Sequence, residues 1–89
     1  MTDNRIKPSL LPTTKFLGNT PERQLNHLTE EMGEIAKAIR DGDTAHARWE
    51  VADLQLSCET LMCILGGNGE EERDRAIEKN RERGYYNAK

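Results

Sequence analysis

Residues 20–67 read TPERQLNHLTEEMGEIAKAIRDGDTAHARWEVADLQLSCETLMCILGG, and this stretch decides the fold. Thr20 is a favourable N-cap and Pro21 suits the first position of a helix, so helix one is predicted to begin here. Apolar residues then recur every three or four positions and form one helical stripe: Leu25, Leu28, Met32, Ile35 and Ile39. Asp41-Gly42-Asp43 ends this helix, and Asp43 or Thr44 can cap the next one.

Helix two is predicted from about Thr44 to Leu65, with Gly66-Gly67 as its stop. Its apolar residues form two stripes on roughly opposite sides. One stripe contains Val51, Leu54, Cys58, Leu61 and Leu65, and the other contains Trp49, Ala52, Leu56 and Cys63. A helix that is apolar on two sides must be covered on two sides. Helix one can cover one side, and we expect a second subunit to cover the other, with Trp49 as an anchor of that interface or of the core.

A third helix is predicted from about Gly69 to Arg83, because acidic residues open the segment and basic residues close it. Gly84 is a plausible C-cap. Within this helix only Ala76 and Ile77 are apolar. We therefore expect its order to depend on docking or on a ligand.

Residues 1–19 are expected to be an irregular arm, and residues 20–89 a single all-α domain. Pro8 and Pro12 interrupt any periodicity in the arm, and Gly18-Asn19 ends it with turn chemistry. The arm carries several apolar side chains, so we expect it to pack across the helices or onto a neighbouring subunit. The alternative is a flexible leader.

The length and composition favour an oligomer. A chain of 89 residues with only 35% hydrophobic side chains forms one small domain that is marginally stable alone. Cys58 and Cys63 are five positions apart in a predicted helix, on different faces, so a disulfide between them would require distortion. We read both as small core residues. Free cysteines are typical of a reducing compartment, and we expect a cytoplasmic protein.

The same composition argues against membrane and nucleic-acid partners. The longest uncharged apolar run, Thr60 to Leu65, is far shorter than the ~20 residues that a bilayer requires. No apolar run of signal-peptide length precedes Arg5 and Lys7. The net charge of −3 shows no basic excess of the kind that duplex binding needs.

Two pairs of carboxylates carry the chemical information. Glu31 and Glu34 are three positions apart on helix one, and Glu50 and Asp53 are three apart on helix two. Glu50 and Asp53 occupy, with Ser57, the narrow strip between the two apolar stripes. If the two helices form an antiparallel hairpin, the pairs meet at the edge of the core.

Carboxylates that converge at a half-buried site must be partly protonated or must bind cations. Oxygen ligands at this helical spacing suit Mg²⁺, with Mn²⁺ as an alternative. A different interpretation is that the acids form a solvated face or pair with the basic residues Arg23, Lys37, Arg40 and Arg48. The position of Glu50 and Asp53 between apolar stripes favours the metal site.

The acids also resemble a family motif. Glu30-Glu31-Met32-Gly33-Glu34, followed after fifteen residues by Glu50-Val51-Ala52-Asp53, resembles the EExxE…ExxD signature of the MazG-like nucleotide pyrophosphohydrolases. These belong to the all-α NTP pyrophosphatase superfamily, with the dimeric dUTPases and the dCTP pyrophosphatases. The segment from Ala76 to Tyr86 is similar to the family's tail, which contains Lys, Asn and Arg.

The resemblance implies a helical hairpin plus a third helix, assembling into a four-helix-bundle-type dimer or tetramer with shared active sites. It implies Mg²⁺-dependent hydrolysis of a (d)NTP to a (d)NMP and pyrophosphate. The metal ligands it implies are Glu31, Glu34, Glu50 and Asp53. Glu30 belongs to the motif in a supporting role or acts on the water, and Glu31 or Glu34 would orient or deprotonate the attacking water.

The resemblance also implies substrate contacts in the third helix. Lys79 and Arg83, one turn apart, would offset charge on the leaving pyrophosphate. Asn80 would hydrogen-bond phosphate or sugar, and Tyr86 or Tyr85 would stack on a base. The alternative for this segment is an ordinary solvated helix end. His27, one turn before Glu31, is either a contact at the edge of the site or a structural residue.

Two other functions remain open at this point. One is a non-catalytic helical module of the same fold that binds a nucleotide or a partner. The other is a small nucleic-acid-binding protein that would use the basic residues of the third helix: Arg73, Arg75, Lys79, Arg81 and Arg83. Interleaved acids cancel much of that positive field and weaken this last hypothesis.

Overall fold

The computed structural model of the protein describes residues 10–88, and within this range the fold is all-helical without strands. A short 3-10 helix spans Thr14–Phe16. Three α-helices follow: α1 at Pro21–Arg40, α2 at Thr44–Ile64 and α3 at Gly69–Glu82. The predicted all-α class is therefore confirmed, and the helix bounds agree with the sequence to within one residue.

Side-chain caps fix where each helix begins. The Thr20 hydroxyl accepts a hydrogen bond from the Arg23 backbone N–H, and the Asp43 carboxylate accepts one from the His46 N–H. Asn68 does the same at the start of α3. Gly66 follows α2 and adopts the left-handed conformation, with φ of 78°. Residues with a side chain rarely adopt this conformation, so a glycine is favoured here. The local signals in the sequence therefore set the boundaries.

The helices α1 and α2 form an antiparallel hairpin joined by the turn at 41–43. The surface between them is unusual because five of the eight buried residues of the two helices are polar or charged. The buried positions of α1 are Gln24, Leu28, Glu31 and Ala38, and those of α2 are Ala47, Glu50, Ser57 and Thr60. Their spacing of three, four and seven residues places each set on one helical face. The strip of α2 that contains Glu50 and Ser57 therefore packs directly against α1.

This packing corrects the prediction that helix one covers one apolar stripe of helix two. Because the polar strip of α2 faces α1, both apolar stripes of α2 lie at the flanks of the hairpin, and Trp49 is 62% exposed. Cys58 and Cys63 are free thiols and exposed, not core residues. The apolar stripe of α1 does not point directly at α2, and α2 covers only one edge of it. Leu28 is buried, whereas Ile39 is 65% exposed.

The described part of the N-terminal arm lies across one end of the hairpin. The Thr13 backbone N–H donates to the Thr60 hydroxyl at 2.8 Å. The Phe16 ring lies 5.4 Å from the His27 ring, measured between centroids. Residues 1–9 of the predicted arm lie outside the described residues.

Gln24 is the polar centre of this end of the molecule. Its side chain is completely buried. Its Nε2 donates to the Ser57 carbonyl at 3.1 Å, and its Oε1 accepts from Asn19 Nδ2 at 2.9 Å. Gln24 thus connects the arm, α1 and α2.

The third helix has few contacts with the hairpin. Most of its side chains are exposed, in agreement with its two apolar residues. None of the helices within residues 10–88 combines the length and apolar character needed to span a bilayer.

Gln24→Ala is expected to lower the free energy of unfolding by about 2 kcal/mol, because it removes one buried and one part-buried hydrogen bond and leaves a void. Urea unfolding at one fixed protein concentration measures this loss. Asn26→Ala, at an exposed site on the same helix, is the control and should change stability by less than about 0.5 kcal/mol. Equal stability of the two variants would show that the Gln24 network does not support the fold.

Candidate functional site

The two helices of the hairpin bring acidic side chains together on their packed faces. Glu31 of α1 and Glu50 of α2 are only 7% and 6% exposed. Asp53 of α2 is half-buried. Carboxylates are rarely buried to this extent unless they are paired or bind a cation. The burial of Glu31 and Glu50 therefore identifies this face as the candidate site.

The carboxylate of Glu31 is only partly satisfied. Its Oε2 lies 3.1 Å from His27 Nε2, whereas its Oε1 is buried and has no hydrogen-bond partner among the described residues. Burial raises the pKa of Glu31 above its ordinary value, and the neighbouring Asp53 raises it further. The nearby Ser57 side chain and the charge of His27 lower this pKa, but burial dominates. Ionisation of Glu31 is thus less favourable here than in water, and a bound cation would make it more favourable.

Glu50 has a matching arrangement on the other helix. His46 Nε2 lies 3.1 Å from Glu50 Oε2, and the His46 ring stacks on Trp49 with 6.4 Å between centroids. Each buried glutamate therefore has a histidine one helical turn before it. His46 was not predicted from the sequence, although its spacing from Glu50 equals the spacing of His27 from Glu31.

A cleft of about 350 Å³ opens beside Glu50, between the hairpin turn and the two helices. Glu34 is exposed and lines this cleft together with Glu50. The remaining lining residues are Lys37, Ala38, Asp41, Asp43 and His46. The four predicted metal ligands are thus grouped two by two: Glu34 with Glu50 in the cleft, and Glu31 with Asp53 between the helices.

The donor set suits a hard divalent cation in its chemistry. All four predicted ligands offer carboxylate oxygens, which Mg²⁺ and Mn²⁺ prefer. The buried Glu31 Oε1, which lacks a donor, is the kind of atom that a cation would satisfy. Among residues 10–88, no three His, Cys, Asp or Glu side chains are already arranged to hold a metal ion. The ligand assignment accordingly stays a prediction that rests on donor chemistry and on the unsatisfied oxygen.

Glu30 precedes Glu31 on α1 but lies outside the packed face, and its side chain is exposed. It lines a second cleft of about 300 Å³ together with Phe16, Asn26 and His27. The second cleft lies further from the hairpin turn than the first, because its lining residues on α1 precede those of the first cleft.

The predicted substrate contacts lie apart from the acids within one chain. Neither of the two clefts described above is lined by any of these residues, which are Lys79, Asn80, Arg83 and Tyr86. Asn80 Nδ2 lies 3.5 Å from Tyr86 Oη. The Arg83 guanidinium lies 5.1 Å from the centroid of the Tyr85 ring. The structure thus groups these residues at the end of α3, away from the carboxylates of the same chain.

Comparison with known proteins gives one match. The sequence model of one family, the MazG nucleotide pyrophosphohydrolase domain, matches residues 19–84 of the 89. The match includes both helices of the hairpin, all of the motif acids and all of α3. Neither the curated proteins nor the solved structures contain a significant match.

Glu31→Gln is expected to stabilise the metal-free protein by about 1 kcal/mol at neutral pH, because a neutral amide removes an unfavourable buried charge. Since burial raises the pKa of Glu31, the folded wild type loses stability as the pH rises from 4.5 through the folded-state pKa. The variant should not show this loss. Urea unfolding in EDTA across this pH range measures both curves.

Glu30→Gln is the matched control for this experiment, because Glu30 is the neighbouring acid and is exposed. It should follow the wild-type curve. A Glu31→Gln protein that is less stable than wild type at neutral pH would show that the carboxylate is well satisfied without metal.

Proposed function

The chain belongs to the MazG nucleotide pyrophosphohydrolase family, and from this premise we propose that it is a metal-dependent hydrolase that converts a (d)NTP to a (d)NMP and pyrophosphate. The observation that carries the proposal is the burial of Glu31 and Glu50 on the face that also holds Asp53, with one carboxylate oxygen left unsatisfied. A face built in this way is unfavourable for a purely structural hairpin and favourable for one that binds cations.

In this proposal Glu31, Glu34, Glu50 and Asp53 hold Mg²⁺, with Mn²⁺ as an alternative. The bound ion would offset the charge of the triphosphate and polarise its phosphate oxygens. His27 and His46 each fix one oxygen of a buried glutamate at 3.1 Å, which limits the orientations of those two carboxylates. Fixed carboxylates cost less to organise when a ligand binds.

Activation of the attacking water is assigned to the acids of helix α1. Glu34 is exposed on the cleft that Glu50 also lines, so its carboxylate can accept a proton from a water in that cleft. Glu30, exposed one position before Glu31, has a supporting role. The choice between Glu31 and Glu34 as the base follows from exposure, since Glu34 is open to solvent and Glu31 is not.

The cationic residues of α3 are proposed to serve the acids of another subunit. Lys79 and Arg83 would neutralise charge on the leaving pyrophosphate, Asn80 would hydrogen-bond phosphate or sugar, and Tyr86 would stack on the base. These side chains line neither of the two clefts of their own chain. An active site shared between subunits would bring them to the carboxylates.

The exposed apolar surface of the hairpin supports a homo-oligomer. Large apolar side chains lie exposed along both helices, among them Leu25, Met32, Ile39, Trp49, Val51 and Leu65. Exposed apolar surface of this extent is typical of an interface. Two hairpins packed through it would form a four-helix-bundle-type dimer or, with further pairing, a tetramer.

The reaction is tested by a substrate panel. Purified protein is incubated with each canonical NTP and dNTP in Mg²⁺, Mn²⁺ or EDTA, and the products are separated by chromatography. Monophosphate and pyrophosphate that disappear in EDTA support the proposal. Diphosphate and phosphate would indicate a different bond cleavage, and no turnover would indicate a non-catalytic binding module of the same fold.

Glu50→Gln and Asp53→Asn are each expected to lower kcat/KM by at least about 100-fold, since each removes a charged metal ligand while keeping the shape of the side chain. Circular dichroism should show unchanged helix content. Glu22→Gln, an exposed acid at the start of α1, is the control and should keep wild-type activity. Activity retained in either ligand variant would show that the ligand assignment is wrong.

Trp49→Ala is expected to raise the dissociation constant of the oligomer at least tenfold, because it removes the largest exposed apolar side chain of the hairpin. Sedimentation over a dilution series measures the change. Asn26→Ala shortens an exposed polar side chain of α1 and should leave assembly unchanged. An unaltered oligomer in Trp49→Ala would exclude Trp49 from the interface.

A further inference from the structure

The start of α3 is fixed to α2 by an ion pair of low exposure. Arg73 Nη1 donates to Glu59 Oε1 at 2.8 Å, and the Glu59 side chain is only 11% exposed. Glu59 lies on α2, five residues before its last residue, and Arg73 lies on the second turn of α3. The pair therefore links two helices close to the turn that joins them.

This pair differs from the ion pairs on the surface. Lys37–Asp41, Glu72–Arg75 and Glu78–Arg81 each join residues three or four positions apart within one helix, and their side chains are largely exposed. Such pairs contribute little to stability or orientation. The Glu59–Arg73 pair is part-buried, with the Arg73 side chain 36% exposed, and joins two different helices. A charge-assisted hydrogen bond in such a position is stronger and more directional than a fully exposed pair.

Gly69, the buried first residue of α3, makes room for the pair. A Cβ built on Gly69 would lie 2.8 Å from Arg73 Nη1 and 2.6 Å from Glu59 Oε2. Both distances are below van der Waals contact, so a side chain at position 69 would displace the two charged groups. Glu59, Gly69 and Arg73 thus form one unit, which we call the α2–α3 joint.

The joint orients α3 and thereby sets the position of the C-terminal end of this helix. Arg73 and Asn80 are seven positions apart, so they lie on the same face of α3, about 10 Å apart along its axis. Lys79 and Arg83 lie beside that face, both on the same side of it. Because α3 has little apolar surface, the charged contact at its start has a large share in setting its orientation.

We propose that Glu59, Gly69 and Arg73 are positioning residues that hold α3 so that Lys79, Asn80 and Arg83 meet the phosphates of the substrate. The substrate role rests on the proposed function, whereas the joint itself does not. With the joint open, α3 spends only part of its time in the competent orientation. The apparent affinity for substrate is then multiplied by the fraction of molecules in the competent orientation, while the bound complex reacts as before.

The joint is tested first without nucleotide or metal, by amide hydrogen exchange. Glu59→Gln keeps the size of the side chain and removes its charge, so exchange should rise at least tenfold in residues 69–82 and stay unchanged in α1. Glu78→Gln removes one charge from an exposed pair on α3 and is the matched control. Equal exchange in α3 for Glu59→Gln and wild type would overturn the joint.

Gly69→Ala gives an independent test, because the joint and helix propensity predict opposite changes in the exchange rate of α3. Alanine stabilises a helix relative to glycine, so a purely local effect would slow exchange in α3. The added methyl group instead displaces the Glu59–Arg73 pair, so the joint predicts faster exchange. Slower exchange in Gly69→Ala would contradict the proposal.

Steady-state kinetics test the link to the substrate. Glu59→Gln and Gly69→Ala should each raise KM about tenfold with kcat within twofold of wild type, which a general loss of structure would not produce. In a Lys79→Ala/Asn80→Ala/Arg83→Ala background, Glu59→Gln should cause no further rise in KM. A separate rise of the same size would show that the joint acts through other residues.

The two levels of the proposal fail differently. Absence of turnover in the wild-type protein contradicts the proposed reaction, and hydrogen exchange still decides the joint. Faster exchange in α3 with an unchanged KM supports the joint and overturns its role in substrate binding.

Discussion

Glu31 and Glu50 are buried against the opposite helix of the hairpin, and the remainder of the architecture follows from this costly arrangement. Carboxylates in a low-dielectric environment require a compensating charge or a proton. The histidine one turn before each glutamate provides part of that compensation, at 3.1 Å in both cases. The unsatisfied oxygen of Glu31 shows that the compensation is incomplete within the chain. The site is therefore assembled at the expense of the stability of the isolated hairpin.

The same arrangement explains the exposed apolar surface. When polar side chains occupy the face between α1 and α2, the apolar stripes must lie at the flanks. Residues such as Trp49 and Ile39 are then available to a second hairpin. In the proposed oligomer, the interface supplies the stability that the acidic face removes, so assembly and chemistry depend on each other.

The sequence predicted the boundaries well and the rotation of the helices poorly. Caps and glycines are local signals, and Thr20, Asp43 and Gly66 act where the sequence indicated. The rotational setting of α1 depends on which face of α2 meets it, and an apolar stripe alone does not specify that face. The strip containing Glu50 and Asp53 was predicted to meet the acids of helix one at the edge of the core. It was not predicted to be the face of α2 that packs against α1 in place of an apolar stripe. The contact of His46 with Glu50 was missed, although its spacing was visible in the sequence.

The attachment of the N-terminal arm has a consequence for how the sequence can drift over evolution. At residue 13 the chain contributes its backbone N–H, and the acceptor is the hydroxyl of the fully buried Thr60. Any residue except proline provides that donor, so position 13 is free to change its side chain while the attachment persists. Position 60 has no such freedom, because its hydroxyl also donates to the Leu56 carbonyl. Related chains should therefore vary at the arm and preserve a hydroxyl residue far from it in sequence.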